Sequence, residues 1–240
     1  MIKSKFSGIV LLGLCLFPMT LKAQDKVEAN IGVDLVSSYI WRGQDLGHVS
    51  IQPTLSLSYK NLFISAFGST GINKEDTKEI DFTLGYDNDR FSISVTDYWL
   101  DRELDENGNP MYHPYFKKVQ NTHLLEAQIG YNFGYLAINW YTNFAGADGV
   151  TQEGKRAYSS YCSLASPFSI GDISFLAEVG VVPWGTDYYN ESTNRFAVTD
   201  ISLKAEKEIK MTSSFSLPVF SKITINPAMQ NTYVTFGLSF

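Results

Sequence analysis

The chain has 240 residues, with 25 acidic and 19 basic side chains for a net charge of −6, 44% hydrophobic and 14% aromatic residues, and two cysteines. An acidic balance excludes a nucleic-acid surface, which needs clustered cations. With Cys162 the only cysteine beyond residue 23, no internal disulfide can staple the rest of the chain.

Lys3 and Lys5 precede an apolar run from Ile9 to Met19, and Ala23 supplies a small residue at a cleavage point. This order predicts a secretory signal peptide over residues 1–23. The run is shorter than the ~20 residues of a spanning helix. Leu14 ahead of Cys15 argues against a lipoprotein signal, which wants a small residue there. Removing the segment leaves 16 basic and 25 acidic residues, a net charge of −9. No Pro/Ser-rich linker or charge block divides residues 24–240, which predicts one domain.

From residue 27 onward the hydrophobic period is two. In "VSIQPTLSLSY", Val49, Ile51, Pro53, Leu55, Leu57 and Tyr59 alternate with Ser50, Gln52, Thr54, Ser56 and Ser58. Successive strand side chains point to opposite faces, so such a segment has one apolar and one polar face. The pattern recurs in "EIDFTLGY", "LEAQIGYNF", "DISFLAEVGVV" and "VTDISLKAE". About twelve strands are expected, near residues 27–40, 49–59, 62–68, 79–86, 91–99, 122–133, 136–144, 157–166, 172–182, 196–207, 213–225 and 233–240, with ten or fourteen as neighbouring counts. Tight turns at 60–61, 87–90 and 133–134 alternate with longer polar stretches at 42–48, 69–78, 100–121, 145–156 and 183–194. Short turns on one side and long loops on the other mark an outer-membrane barrel.

A soluble β-sandwich also alternates. Three features favour lipid. The polar face is rich in Ser, Thr, Asn, Gln and Gly. A closed barrel leaves no sheet edge unpaired in lipid, with the terminal strand paired to the first, whereas the polar parity of every ionisable side chain in the five quoted segments suits a lipid-facing surface and a soluble core alike. Aromatics gather toward strand ends at Tyr39, Trp41, Tyr59, Tyr86, Tyr98, Trp99, Tyr131 and Phe133, where interfacial girdles would lie. The expected fold is therefore all-β: a transmembrane antiparallel up-and-down β-barrel.

The terminal "YVTFGLSF", with Val234, Phe236, Leu238 and Phe240 on one parity, resembles the C-terminal strand signal of Gram-negative outer-membrane barrels. That resemblance implies outer-membrane lipids and the barrel-assembly machinery as partners. A second resemblance lies in "VSSYIWRGQDLG", residues 36–47. It looks like the TorF-type outer-membrane porin family of Gram-negative bacteria, mapped onto Ser37, Tyr39, Trp41, Arg42 and Gly43, with Ser38 where an acid is expected. The family implies a small outer-membrane barrel with pore activity and supplies no catalytic residues.

The reading is thus a narrow outer-membrane porin for passive diffusion of small solutes or ions, with no cofactor or metal and no enzymatic activity. Its pore-lining candidates are Asp34, Arg42, Glu126, Asp172, Glu178, Lys204 and Glu206, an acidic excess that predicts weak cation preference. Arg42 either faces the lumen mouth or pairs with an inward carboxylate, Glu126 or Glu178. The 100–121 loop is a possible plug. Its Asp101, Glu103 and Asp105 lack the spacing of a calcium loop, and His48, His113 and His123 stand isolated. Two alternatives remain. One is a lipid-modifying enzyme using His123, outward-facing beside Asn121. The other is a soluble exported β-barrel or sandwich that binds a ligand.

Overall fold

The structure, a computed structural model, describes residues 26–73, 76, 78–101, 123–189 and 195–240. The expected signal peptide, Glu103, Asp105, His113 and Asn121 lie outside the described residues. Among the described residues fourteen strands form: β1 (Glu28–Val36), β2 (Tyr39–Trp41), β3 (Gln44–Gly47), β4 (Ser50–Tyr59), β5 (Leu62–Gly71), β6 (Lys78–Asp87), β7 (Phe91–Asp101), β8 (His123–Asn132), β9 (Ala137–Gly146), β10 (Ser160–Ile170), β11 (Ile173–Val182), β12 (Ala197–Lys210), β13 (Ser216–Asn226) and β14 (Asn231–Ser239). Twelve of them make a closed antiparallel barrel, while β2 and β3 form a separate two-stranded sheet.

Closure comes from β1, which pairs with β4 on one side and β14 on the other. Short turns at 60–61, 88–90, 133–136, 171–172 and 211–215 join strands at one end. The connections 37–49, 147–159 and 227–230 and the described stretch 183–189 lie at the other. The expected meander is therefore present.

Alternation sets what faces where. Ile64, Phe82, Leu84, Ile93, Ile129, Leu164, Ile201, Ile223, Val234 and Phe236 are exposed on the outside. Ser65, Thr83, Ser94, Asn139, Ser163, Ser202 and Thr224, on the opposite parity, are buried inside. Inward polar groups satisfy one another: Gln128 accepts from Ser94 at 3.0 Å and donates to Ser92 at 3.0 Å and Asn139 at 3.3 Å. Where an inward aromatic crosses the lumen wall, a glycine makes room. Phe63 lies over Gly85 and Phe220 over Gly237, where an added Cβ would meet the ring at 2.5 and 2.1 Å.

Two expectations need correction. The first strand does not run through residue 40. It ends at Val36, and the chain turns inward as the β2–β3 hairpin, which also replaces the loop expected at 42–48. Tyr39, Trp41 and Tyr98, placed by sequence in a membrane girdle, are each 5–6% exposed and belong to a cluster inside the barrel. Period two shows which residues share a face. It does not show where a strand leaves the wall.

The β1–β14 seam is short, with three residue pairs from Asp34↔Ser239 to Val36↔Gly237, against ten for β12–β13. Backbone bonds between Val33 and Phe240 (3.0 and 3.1 Å) and from the Ser37 amide to Phe236 O (2.8 Å) extend it. Few ladder bonds favour local opening. Amide hydrogen exchange should accordingly be faster at Val33, Ser37 and Phe240 than along Ile201–Lys207, measurable by mass spectrometry of the intact barrel.

Candidate functional site inside the barrel

The β2–β3 turn consists of Arg42 and Gly43, with φ of 51° and 79°. Two positive φ values in a two-residue loop are the signature of a type I′ hairpin turn. Only glycine fits the second position, because a Cβ there would lie 1.8 Å from the Thr199 carbonyl oxygen. The Asn226 side-chain amide donates to Gly43 O at 2.9 Å. The hairpin tip therefore docks on the inside of the barrel against β13 and β12, two and three strands along from β1.

Register irregularities shape the dock. Glu126 pairs with Asn143 while Leu125 pairs with Ala145, so β9 carries an extra residue, Phe144. Val181 pairs with Val198 while Gly180 pairs with Asp200, which makes Thr199 the extra residue of β12. Bulges bend a strand and re-aim its side chains. One sits opposite Glu126, and the other presents the carbonyl that abuts Gly43.

At the centre, the Arg42 guanidinium forks onto Glu126: Nη1 donates to Oε2 at 2.5 Å and Nη2 to Oε1 at 2.9 Å. Nη1 also donates to the Tyr189 hydroxyl at 2.7 Å, and the Tyr98 hydroxyl donates to Glu126 Oε1 at 2.9 Å. Ring faces surround the cation, with centroids 4.3 Å away at Trp41, 4.1 Å at Tyr141, 4.7 Å at Tyr161 and 5.9 Å at Tyr189. Arg42 and Glu126 are 7% and 2% exposed. A bidentate fork and cation–π contacts gain strength in such dry surroundings. This answers the open sequence question: Arg42 pairs with Glu126, within the lumen.

The other sequence candidates scatter. Asp34 is half-buried on β1, Glu178 on β11, and Lys204 and Glu206 on β12 bond each other at 3.1 Å. Asp172 is corrected: it sits in the 171–172 turn, 75% exposed and 3.0 Å from Lys207, because β10 and β11 continue to the turn and leave it at the rim. Val234, Phe236 and Phe240 are exposed on the outer face and Leu238 is half-exposed there. Sequence reasoning missed Glu79, Asp81 and Asp200, all buried, and Lys222, 3.9 Å from Asp200. Their polar parity was the available signal. It also missed Tyr141, Tyr161 and Tyr189, for which no local pattern existed.

Near the hairpin stem, His48 Nδ1 lies 2.8 Å from Asp76 Oδ1, and Asp76 also accepts from the His48 and Asn73 amides at 3.2 and 3.1 Å. Burial pushes the Asp76 carboxyl up, but these hydrogen bonds outweigh it and hold it below the ordinary aspartate value. On the outer face, Asp97 departs from the apolar parity and its carboxylate meets His123 Nδ1 at 2.9 and 3.1 Å. Among the described residues, no cluster of His, Cys, Asp or Glu could hold a metal ion.

No family model matches the chain, and no curated protein matches it in sequence. Among solved structures, it is similar to an outer membrane channel from Pseudomonas putida F1, at 14% identity and a TM-score of 0.43, over 93% of this chain and 98% of that one.

Two outcomes follow from the geometry. Glu126→Ala strands a buried cation and should destabilise the barrel by ~3–5 kcal/mol, whereas Arg42→Met with Glu126→Leu should cost far less, read by urea unfolding. Asp76 has a depressed folded-state pKa, so its contribution is complete above the unfolded value near ~4 and lost as pH falls through the folded one. The stability difference between wild type and Asp76→Asn should therefore shrink as pH falls below about 4, measured by urea unfolding across pH.

Proposed function

We propose that this chain is an outer-membrane β-barrel channel for small solutes or ions whose lumen is closed by its own hairpin in the state described here. The observation that carries the reading is the inside-out surface. A continuous apolar band covers the outside of a closed sheet while polar and charged groups are buried within. Monomeric soluble proteins rarely expose apolar patches beyond a few hundred Å², and a closed barrel is the sheet that leaves no backbone unpaired in lipid. The exposed ring of Tyr59, Tyr131, Phe133 and Tyr135 at the short-turn end suits an interfacial girdle. The TorF-type likeness of residues 36–47 agrees with a channel, export by the 1–23 segment agrees with the outer membrane, and Phe236 and Phe240 suit recognition by assembly machinery.

Passage requires the hairpin to shift, since Arg42 and its aromatic surround fill the dock. With Arg42 and Glu126 cancelling, Asp34, Glu79, Asp81, Glu178, Asp200 and Glu206 outnumber Lys204 and Lys222 on the inward parity. Such an excess favours cations.

A second reading, lipid modification at the outer face, draws on the His123–Asp97 pair. A ring Nδ1–H held by a carboxylate leaves Nε2 with the lone pair of a general base. Release of fatty acid from phospholipid by wild type but not by His123→Ala would establish it.

The channel is tested in a planar bilayer. Wild-type protein should give rare, small conductance steps, and Arg42→Ala larger or more frequent ones, with a reversal potential in a salt gradient that favours the cation. Silence from both proteins, each migrating faster unboiled than boiled on a gel, would remove the channel reading.

A further inference from the structure

Only Arg42 and Trp41 of this site come from the hairpin. Glu126 stands on β8, Tyr98 on β7, Tyr141 on β9 and Tyr161 on β10, and Tyr189 belongs to the 183–196 connection. When the hairpin leaves, the barrel wall keeps a buried carboxylate flanked by Tyr141 and Tyr161 ring faces, with the Tyr189 hydroxyl as acceptor and the Tyr98 hydroxyl orienting Glu126. We propose that this wall is a binding site for guanidinium-bearing solutes, which Arg42 occupies as an intramolecular stand-in for the ligand.

The chemistry is specific to that class. The two oxygens of Glu126 accept a planar fork, which a compact ammonium cannot present. Tyr141 and Tyr161 receive the flat faces of the cation. Glu126 left ionised and unpaired among tyrosines carries a desolvation penalty, so a cation that takes the place of Arg42 stabilises the state in which the hairpin has shifted. The wall also holds acceptors that Arg42 does not use. The Tyr161 hydroxyl and Asp200 Oδ1 are buried without a hydrogen-bond partner. Gly180, over which the Tyr161 hydroxyl lies, pairs directly with Asp200. A solute with a second donor group would meet them. The site deepens the channel reading and rests on it for its physiological role, although binding itself is measurable without conduction.

Arg42→Ala vacates the seat while every wall residue of the site remains. In purified protein in detergent, millimolar methylguanidinium should raise the unfolding temperature of Arg42→Ala, and methylurea, equally flat but uncharged, should not. Adding Glu126→Gln should weaken the apparent affinity by roughly ten- to hundredfold. If Arg42→Ala reaches the fast-migrating folded band only when methylguanidinium is present during refolding, that rescue supports the same site. An effect of methylguanidinium no greater than that of methylurea overturns it. Wild type offers a measurement independent of the variant's folding. The emission of Trp41, taken as the difference from Trp41→Phe, should shift to longer wavelength and saturate as free methylguanidinium displaces the hairpin. A response that neither saturates nor exceeds that of sodium chloride overturns the proposal. Binding without conductance would sink the channel and leave the site standing, whereas conductance without any guanidinium response would sink the site alone.

Discussion

Glu126 is the constraint on which the interior depends. It projects from the β8 wall into a space lined by tyrosines and is almost entirely shielded. A carboxylate there needs a cation with matching geometry or it destabilises the barrel. The cation arrives from a segment more than 80 residues away, Arg42, carried at the tip of a hairpin whose turn demands two positive φ values. The ion pair, the I′ turn and the glycine against Thr199 are mutually dependent. Without the turn the guanidinium does not reach the carboxylate, and the pair adds to the burial of Tyr39 and Trp41 in holding the hairpin inside.

The bulges of β9 and β12 extend this logic into the wall. Each places one extra residue on one strand only, and each lies where the hairpin touches down. A regular ladder would set side chains at fixed intervals, whereas the dock needs Asn143 opposite Glu126 and the Thr199 carbonyl against Gly43. Pairing regularity has been given up where the inward chain must be received.

The interior consequently has two characters. The hairpin end is packed like a protein core, with Tyr39, Trp41, Tyr98, Leu124, Tyr161, Val182 and Tyr189 in one buried cluster. Toward the short turns, the wall carries Ser, Thr, Asn and Gln that bond each other, and charged groups such as Lys204 and Glu206 that pair along one strand. On the outer face, Asp97 and His123 neutralise a departure from the apolar parity by pairing across β7 and β8.

The alternation in "VSIQPTLSLSY" or "EIDFTLGY" was enough to mark strands and their two faces, because the side-chain period of a strand is a local property of the backbone, and the number of such segments with their short turns and long loops pointed to a barrel of about twelve. It also placed Glu126, Glu178, Lys204 and Glu206 on the inner parity. In Arg42 it left two possibilities that the same parity could not separate. What only the tertiary structure decided is that the chain leaves the wall after Val36, that Tyr39 and Trp41 point into the barrel, and that Arg42 meets Glu126 among Tyr98, Tyr141, Tyr161 and Tyr189. These groups come from six separate stretches of chain. Their meeting depends on barrel closure and on the shifts of register at Thr199 and Phe144, and neither is encoded by any pattern within a single strand.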